Sequence, residues 1–126
     1  MRCLILEDSL TAKRMLGRAL AAVGCTELLE AANGKQALEL CDGSVVLAIL
    51  NWNLPGSGPE LVRALRAKPG CAGLRIIVTS SHSSRAEVTR AQEAGVSHYL
   101  VRPFAVEALR ARILDLLPEL ADGSTV

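Results

Sequence analysis

Residues 45–55 read Val-Val-Leu-Ala-Ile-Leu-Asn-Trp-Asn-Leu-Pro. The first six are apolar without interruption, and the polar residue Asn51 follows them at once. A short run of this kind is typical of a strand that is buried on both faces, as in a parallel sheet covered by helices. The stretch therefore predicts a strand of an α/β fold that ends at a polar side chain.

Four further short runs alternate with amphipathic segments. They are Cys3–Leu6, Glu27–Ala31, Leu74–Thr79 and Ser97–Val101; the first and third of these are almost wholly apolar, and the other two are mixed. A strand followed by a helix thus occurs five times. Because crossovers between parallel strands are right-handed, helices should cover both faces of one sheet. The predicted fold is α/β, a doubly wound (βα)5 domain with a five-stranded parallel sheet.

Capping residues mark several helix ends. Ser9 is a good N-cap for the first helix, and Pro59 is well placed to begin the third. Ser84 and Glu87 form a possible capping box for the fourth helix, which Gly95 should end. These signals place helices between the predicted strands.

Apolar stripes predict which helix faces are buried. The stripe of the first helix comprises Leu10, Met15, Leu16, Leu20 and Val23, and that of the fifth comprises Val106, Leu109, Ile113 and Leu116. Pro118 should end the fifth helix. We expect one domain over residues 1–120 and a flexible tail over residues 121–126.

The composition excludes several classes of function. The 126 residues carry a net charge of +1, with acids and bases interspersed, and only one Trp, one Tyr and one Phe. Neither a basic stripe nor aromatic platforms for stacking on bases are present, so no nucleic-acid partner is expected. No apolar run approaches the ~20 residues of a membrane span. The four cysteines lack metal-type spacing and read as thiols of a reducing, cytoplasmic environment.

Four of the predicted strands deliver polar residues to one edge of the sheet. The first ends in Glu7 and Asp8, the third in Asn51, the fourth in Thr79 and Ser80, and the fifth in Arg102 and Pro103. Taken alone, each could be an ordinary cap, turn or surface residue. Ligands of such folds bind outside the carboxyl ends of the strands. Two acids suit Mg²⁺, and a hydroxyl beside a cation suits an anionic group, so the set predicts a binding site.

These motifs, in this order, resemble the receiver domains of response regulators in bacterial two-component signalling. The resemblance rests on Glu7-Asp8, on Asn51-Trp-Asn-Leu-Pro55 followed by glycine, on Thr79-Ser80 and on Arg102-Pro103-Phe104. It runs from Met1 to about Leu117 and is strongest to the single-domain, CheY-like type. It implies a flavodoxin-like fold and a role in phosphorelay signal transduction. In that family a histidine kinase passes a phosphoryl group to an aspartate after the third strand, with Mg²⁺ beside it.

The resemblance implies a magnesium site formed by Glu7, Asp8, the side chain at position 51 and the backbone carbonyl of Asn53. Position 51 matches the phosphoacceptor aspartate of the family, and this chain carries Asn51 there. A carboxylate is a nucleophile and an anionic ligand, whereas a neutral amide is neither to a useful degree. We therefore predict that residue 51 is not phosphorylated and that Mg²⁺ binds weakly, if at all.

Four further residues match family positions that contact the phosphoryl group or take part in the conformational switch. Thr79 matches the hydroxyl residue after the fourth strand, and Tyr99 matches the aromatic residue that turns inward. Pro103 matches a proline that typically follows a cis peptide bond. Arg102 stands where the family has a lysine, which keeps the charge but replaces a compact ammonium with a longer planar fork. We expect Arg102 to reach Glu7 or Asp8, in a geometry that suits a bidentate contact.

Three functional hypotheses follow. The first is a pseudo-receiver, a non-enzymatic binding module whose partner choice does not depend on phosphorylation at residue 51. The second is an ordinary Mg²⁺-dependent, phospho-accepting CheY-like response regulator in an Asp-to-Asn variant at residue 51. Arg102 argues against it, because a designed block would leave the lysine in place. The third is a small α/β enzyme that hydrolyses phosphoryl groups, with Ser80, Ser81 and His82 as candidate nucleophiles. We favour the first hypothesis.

Under the favoured hypothesis the partners are proteins. They would be a histidine kinase or other signalling proteins, and an output protein on the face formed by the fourth helix, the fifth strand and the fifth helix. Tyr99 lies on that face, and Arg90 and Arg110 favour acidic partners. We expect a monomer or weak dimer, without a nucleic-acid or membrane partner.

Overall fold

The computed structural model describes residues 1–117. Within that part of the chain the strands are β1 (Arg2–Leu6), β2 (Glu27–Ala31), β3 (Val45–Asn51), β4 (Arg75–Ser80) and β5 (His98–Val101). The helices are α1 (Leu10–Ala22), α2 (Gly34–Leu40), α3 (Pro59–Ala67), α4 (Arg85–Ala94) and α5 (Val106–Leu116). The strands form one parallel sheet in the order β2-β1-β3-β4-β5. The predicted doubly wound (βα)5 fold is confirmed.

The predicted stop at Pro118, the domain limit at residue 120 and the tail over residues 121–126 lie outside the described residues. None of the helices within residues 1–117 has the length and apolar character needed to cross a membrane.

The strand order reverses between β1 and β3. β1 pairs with β2 on one side and with β3 on the other, and the chain reaches β4 and β5 beyond β3. Helices that leave β1 and β3 therefore pass to opposite faces of the sheet, and a crevice opens between the carboxyl ends of these two strands. Glu7 follows β1 directly and Asn51 ends β3, so both lie at this crevice.

The sheet separates two apolar cores. Along β3, Leu47 and Ile49 pack with α1 and α5, whereas Ala48 and Leu50 pack with α2, α3 and α4. This alternation is the period of two that a pleated strand imposes. Both faces of β3 are buried, which explains why its sequence is apolar without interruption.

The cysteines belong to these cores. Cys3, Cys41 and Cys71 are buried, Cys25 is half-buried, and all four are free thiols. Burial raises the pKa of Cys3 to about 12 and that of Cys41 to about 11. These two thiols are therefore neutral at physiological pH and act as small apolar groups.

The predicted caps are largely present. Ser9 accepts a hydrogen bond from the backbone N–H of Ala12 at 3.3 Å, and Gly95 ends α4 in the left-handed region with φ 95°. Only half of the predicted capping box forms, because Ser84 accepts from the Glu87 N–H at 3.2 Å while the Glu87 carboxylate accepts from Arg90 at 3.4 Å. Each cap offsets an N–H or C=O group that the helix leaves unpaired.

Two positions predicted to be buried are exposed. Leu10 is 58% exposed and Val106 is 45% exposed, although the rest of both stripes is buried or half-buried. Each is the first residue of its helix, α1 or α5. The helices begin beyond the carboxyl edge of the sheet, so their first turns have no strand beneath them. Periodicity predicts which face of a helix a residue lies on. It does not predict how far the sheet extends beneath that helix.

A close backbone approach fixes the loops beside the crevice. Gly34, the first residue of α2, donates its N–H to the Pro55 carbonyl at 3.0 Å. A Cβ atom on Gly34 would lie 1.8 Å from the carbonyl oxygen of Gly56. Only glycine permits this contact between the β2–α2 turn and the loop that follows Asn51.

We expect Gly34→Ala to lower the free energy of unfolding by about 2–3 kcal/mol, because the methyl group displaces backbone rather than a flexible side chain. Urea unfolding followed by circular dichroism measures the change. Gly73→Ala is the matched control, since a Cβ there meets no atom within 4 Å. A Gly34→Ala protein as stable as the Gly73→Ala protein would contradict the predicted clash.

Candidate functional site

The carboxyl edge of the sheet brings together the residues predicted there. Glu7 follows β1, Asn51 ends β3, Thr79 and Ser80 end β4, and Arg102 follows β5. Four of the five are buried, with exposed fractions between 2% for Thr79 and Ser80 and 6% for Asn51. Sheet register sets Asn51 beside Thr79. The sheet topology therefore brings residues that are far apart in sequence together in one polar cluster beneath the loops.

Glu7 is the centre of this cluster. Its side chain is only 2% exposed and forms an ion pair with Arg102, whose Nη1 lies 2.9 Å from Oε1. Its Oε2 accepts the backbone N–H groups of Asp8 at 3.1 Å and Ser9 at 3.2 Å. Asn51 Nδ2 lies 3.3 Å from each carboxylate oxygen. A buried carboxylate without such partners would be strongly destabilising, and here every oxygen is satisfied.

The predicted pairing of Arg102 with the acidic edge is confirmed, and its partner is Glu7. The bidentate geometry was a wrong prediction, since a single guanidinium nitrogen contacts the carboxylate. The backbone N–H groups of Asp8 and Ser9 already occupy Oε2, which leaves Oε1 for Arg102. The Arg102–Pro103 peptide bond is cis, as the resemblance implied.

Asp8 does not share the environment of Glu7. It is exposed, and within residues 1–117 it forms no ion pair. Adjacent residues leave a strand towards opposite sides, so one acid of the pair enters the cluster and the other borders solvent. The sequence indicated the acidic pair but not this division.

The amide of Asn51 is oriented by its hydrogen-bond partners. Oδ1 accepts the backbone N–H of Asn53 at 2.9 Å, and Nδ2 donates towards Glu7. The backbone carbonyl of Asn51 accepts the Ser57 hydroxyl at 2.7 Å. A carboxylate oxygen in place of Nδ2 would set a second anion about 3.3 Å from Glu7. The neutral amide instead turns that contact into an attractive one.

The side chains in this arrangement do not fit a magnesium site. Mg²⁺ requires oxygen ligands in near-octahedral geometry. Both oxygens of Glu7 accept from nitrogen donors, and Asn51 presents nitrogen rather than oxygen to the same space. Across residues 1–117, no three His, Cys, Asp or Glu side chains are grouped as metal ligands would be. Asp8 is the one accessible carboxylate of the predicted set in this part of the chain.

Asn53 has a role that the sequence did not reveal. It was predicted to offer its backbone carbonyl to a metal ion, and that role stays a prediction. Its side-chain Oδ1 accepts the backbone N–H of Ser81 at 3.1 Å. This bond ties the loop after β3 to the loop after β4, and no local pattern could have identified a partner 28 residues away.

Tyr99 on β5 connects the cluster to the molecular surface. Its hydroxyl donates to the His82 carbonyl at 2.6 Å. Its ring meets Trp52 edge to face, with centroids 6.1 Å apart. Trp52 is half-buried, and its buried Nε1–H has no hydrogen-bond partner within residues 1–117. The aromatic pair thus links the residue after Asn51 to the strand that precedes Arg102.

The family model described as the response regulator receiver domain matches residues 3–114. A chemotaxis protein CheY homolog of Campylobacter jejuni (strain 81-176) is 34% identical over 120 residues, which cover 93% of this chain and 92% of that protein. The chemotaxis protein CheY1 of Helicobacter pylori (strain J99) is 33% identical over 116 residues, covering 90% and 94%.

The fold is also similar to that of solved receivers. The chemotaxis response regulator CheY4 of Vibrio cholerae superposes with a TM-score of 0.79 at 24% identity, over 91% of this chain and 97% of that one. At this identity the likeness concerns the fold alone. The match to the family model over most of the chain, together with relatives above 30% identity, shows the family. This chain belongs to the response regulator receiver domain family.

Proposed function

We propose that this chain is a pseudo-receiver, which signals through protein contacts without phosphorylation at residue 51. Asn51 ends β3, the position at which the resemblance places the phosphoacceptor. The observation that carries the proposal is the bond between Asn51 Nδ2 and the buried Glu7 carboxylate. An amide in that role supplies neither the nucleophilic oxygen nor the anionic ligand that phosphoryl transfer needs.

The contacts of Arg102 support a diverged receiver over an ordinary regulator with one substituted residue. Asn51 and Arg102 are the two departures from the family pattern, and both contact the carboxylate of Glu7. An Asp-to-Asn substitution made only to prevent phosphorylation at residue 51 would leave the family's lysine at position 102 unchanged. The two side chains act as one set of donors around one anion.

We also propose that the chain has no catalytic activity of its own. Among the candidate nucleophiles, the Ser80 hydroxyl accepts the backbone N–H of His82 at 3.1 Å, and Ser81 and His82 are exposed. Nucleophilic catalysis needs a hydroxyl and a base within hydrogen-bond reach, with the base oriented by a third group. The hydrogen bonds of Ser80, Ser81 and His82 do not form such a chain.

The proposed output face comprises α4, β5 and α5. Val101 is 40% exposed on β5 beside the half-buried Tyr99. Arg90 and Arg110 are exposed on the flanking helices, and Arg90 also pairs with Glu87 at 3.4 Å. An apolar centre with a basic border suits an acidic protein surface. We propose a cytoplasmic monomer or weak dimer that contacts a histidine kinase or another signalling protein here.

The first test is phosphorylation itself. The chain incubated with acetyl phosphate and Mg²⁺ should show no phosphoryl mass increase by intact-mass spectrometry, because Asn51 offers no carboxylate. Asn51→Asp is the comparison: a gain of the phosphoryl group there would identify Asn51 as the block, and an inert variant would place a further block elsewhere in the cluster. A phosphoryl mass increase on the unaltered chain would overturn the proposal.

The second test concerns the output face. We expect Arg90→Glu with Arg110→Glu to weaken binding of the native partner at least tenfold, or about 1.4 kcal/mol, measured by pull-down and titration. Lys35→Glu with Arg75→Glu makes the same change of charge at exposed residues away from the face and should bind normally. Loss of binding on Arg14→Glu with Arg18→Glu, with the first pair harmless, would move the interface to α1.

A further inference from the structure

We propose that the Arg102 guanidinium is the resident cation of this receiver, so that Arg102 keeps divalent cations from the acidic edge. The inference rests on the proposed function, because it explains how the site stays ordered without phosphorylation. Receiver domains in general bind Mg²⁺ at the phosphorylation site. This chain instead supplies its own positive charge from the residue after β5.

The existing contacts of Glu7 oppose metal binding. Arg102 Nη1 lies 2.9 Å from Oε1, and that carboxylate is the one buried acid of the edge within residues 1–117. Mg²⁺ accepts only oxygen ligands, at about 2.0–2.1 Å. For Glu7 to bind it, Oε1 would have to release Arg102, or Oε2 would have to release two backbone N–H groups. Metal binding through Glu7 is therefore a competition with an internal ion pair.

The balance of charge at this edge also weakens its attraction for a divalent cation. Glu7 and Asp8 bring two negative charges, Arg102 brings one positive charge and Asn51 brings none. With aspartate at position 51 and no internal ion pair, three carboxylates would repel one another, and a divalent cation would relieve that repulsion. Asn51 removes one anion and Arg102 neutralises another. The remaining charge is the exposed Asp8, which water solvates.

The backbone position of Arg102 places its guanidinium near Glu7. Arg102 donates its N–H to the Ser80 carbonyl at 2.7 Å and follows directly on β5. Its guanidinium is thus delivered to Glu7 by a strand end that is already paired with β4. Because the backbone of Arg102 is already held, only side-chain rotamer freedom is lost when the ion pair forms.

Magnesium titrations of matched variants test the proposal. Trp52 is the only tryptophan of the chain and follows Asn51, so its fluorescence reports on the cluster. Thermal melting with and without Mg²⁺ gives an independent readout. The proteins are the unaltered chain, Arg102→Gln, Asn51→Asp and the double variant. Arg112→Gln, at an exposed α5 residue, controls for loss of a positive charge elsewhere.

We expect Arg102→Gln to raise Mg²⁺ affinity at least tenfold over the unaltered chain, and the double variant to bind most tightly. Arg112→Gln should match the unaltered chain. If Arg102→Gln folds poorly, Arg102→Ala in the Asn51→Asp background replaces it, because it also removes the positive charge and leaves room for water beside Glu7; it should bind Mg²⁺ at least tenfold more tightly than Asn51→Asp alone. Equal affinity of Asn51→Asp with and without either substitution would overturn the inference.

The outcomes separate the two proposals. Phosphorylation of the unaltered chain would defeat the pseudo-receiver proposal whatever the magnesium titrations give. Unaltered Mg²⁺ affinity on removal of Arg102 would defeat the resident-cation proposal, while a chain that stays unphosphorylated would leave the pseudo-receiver proposal standing.

Discussion

A carboxylate buried at the carboxyl edge of the sheet must have its charge balanced, and much of this site follows from how Glu7 meets that requirement. With its side chain 2% exposed, Glu7 cannot rely on water. It draws on the backbone of its own loop, on Asn51 from β3 and on Arg102 from β5. An unpaired buried charge costs several kcal/mol, so these donors act together or the local fold is lost.

The parallel sheet makes that arrangement possible. The carboxyl ends of β1, β3 and β5 lie at one edge because all the strands are parallel, and the strand order sets β1 directly beside β3. The surrounding loops are fixed by backbone contacts, such as the approach of Gly34 to Gly56 and the bond between Asn53 and Ser81. A receiver fold thus provides a rigid frame in which two side chains can be exchanged. We propose that this exchange replaces a site that takes its cation from solution with one that carries its own.

The fold and much of the site could be predicted because their signals are local. The run Val45–Leu50 marked a doubly buried strand, and the chain topology then placed Glu7, Asn51 and Arg102 at one edge. The features that the sequence did not predict depend on how distant segments pack together. Periodicity put Leu10 and Val106 in the core because it cannot show where the sheet ends beneath a helix. The contact of Trp52 with Tyr99 joins segments whose sequences give no sign of each other.

A double-mutant cycle on Glu7 and Arg102 tests this account most directly. Urea unfolding of the unaltered chain, Glu7→Gln, Arg102→Gln and the double variant gives their coupling free energy. The account predicts at least about 1 kcal/mol, since one partner is buried and the other is partly shielded. The pair Lys13–Glu30, in which neither partner is buried and the charged atoms are 3.7 Å apart, is the comparison and should couple by about 0.5 kcal/mol or less. Equal coupling in the two pairs would show that Arg102 does not balance the charge of Glu7.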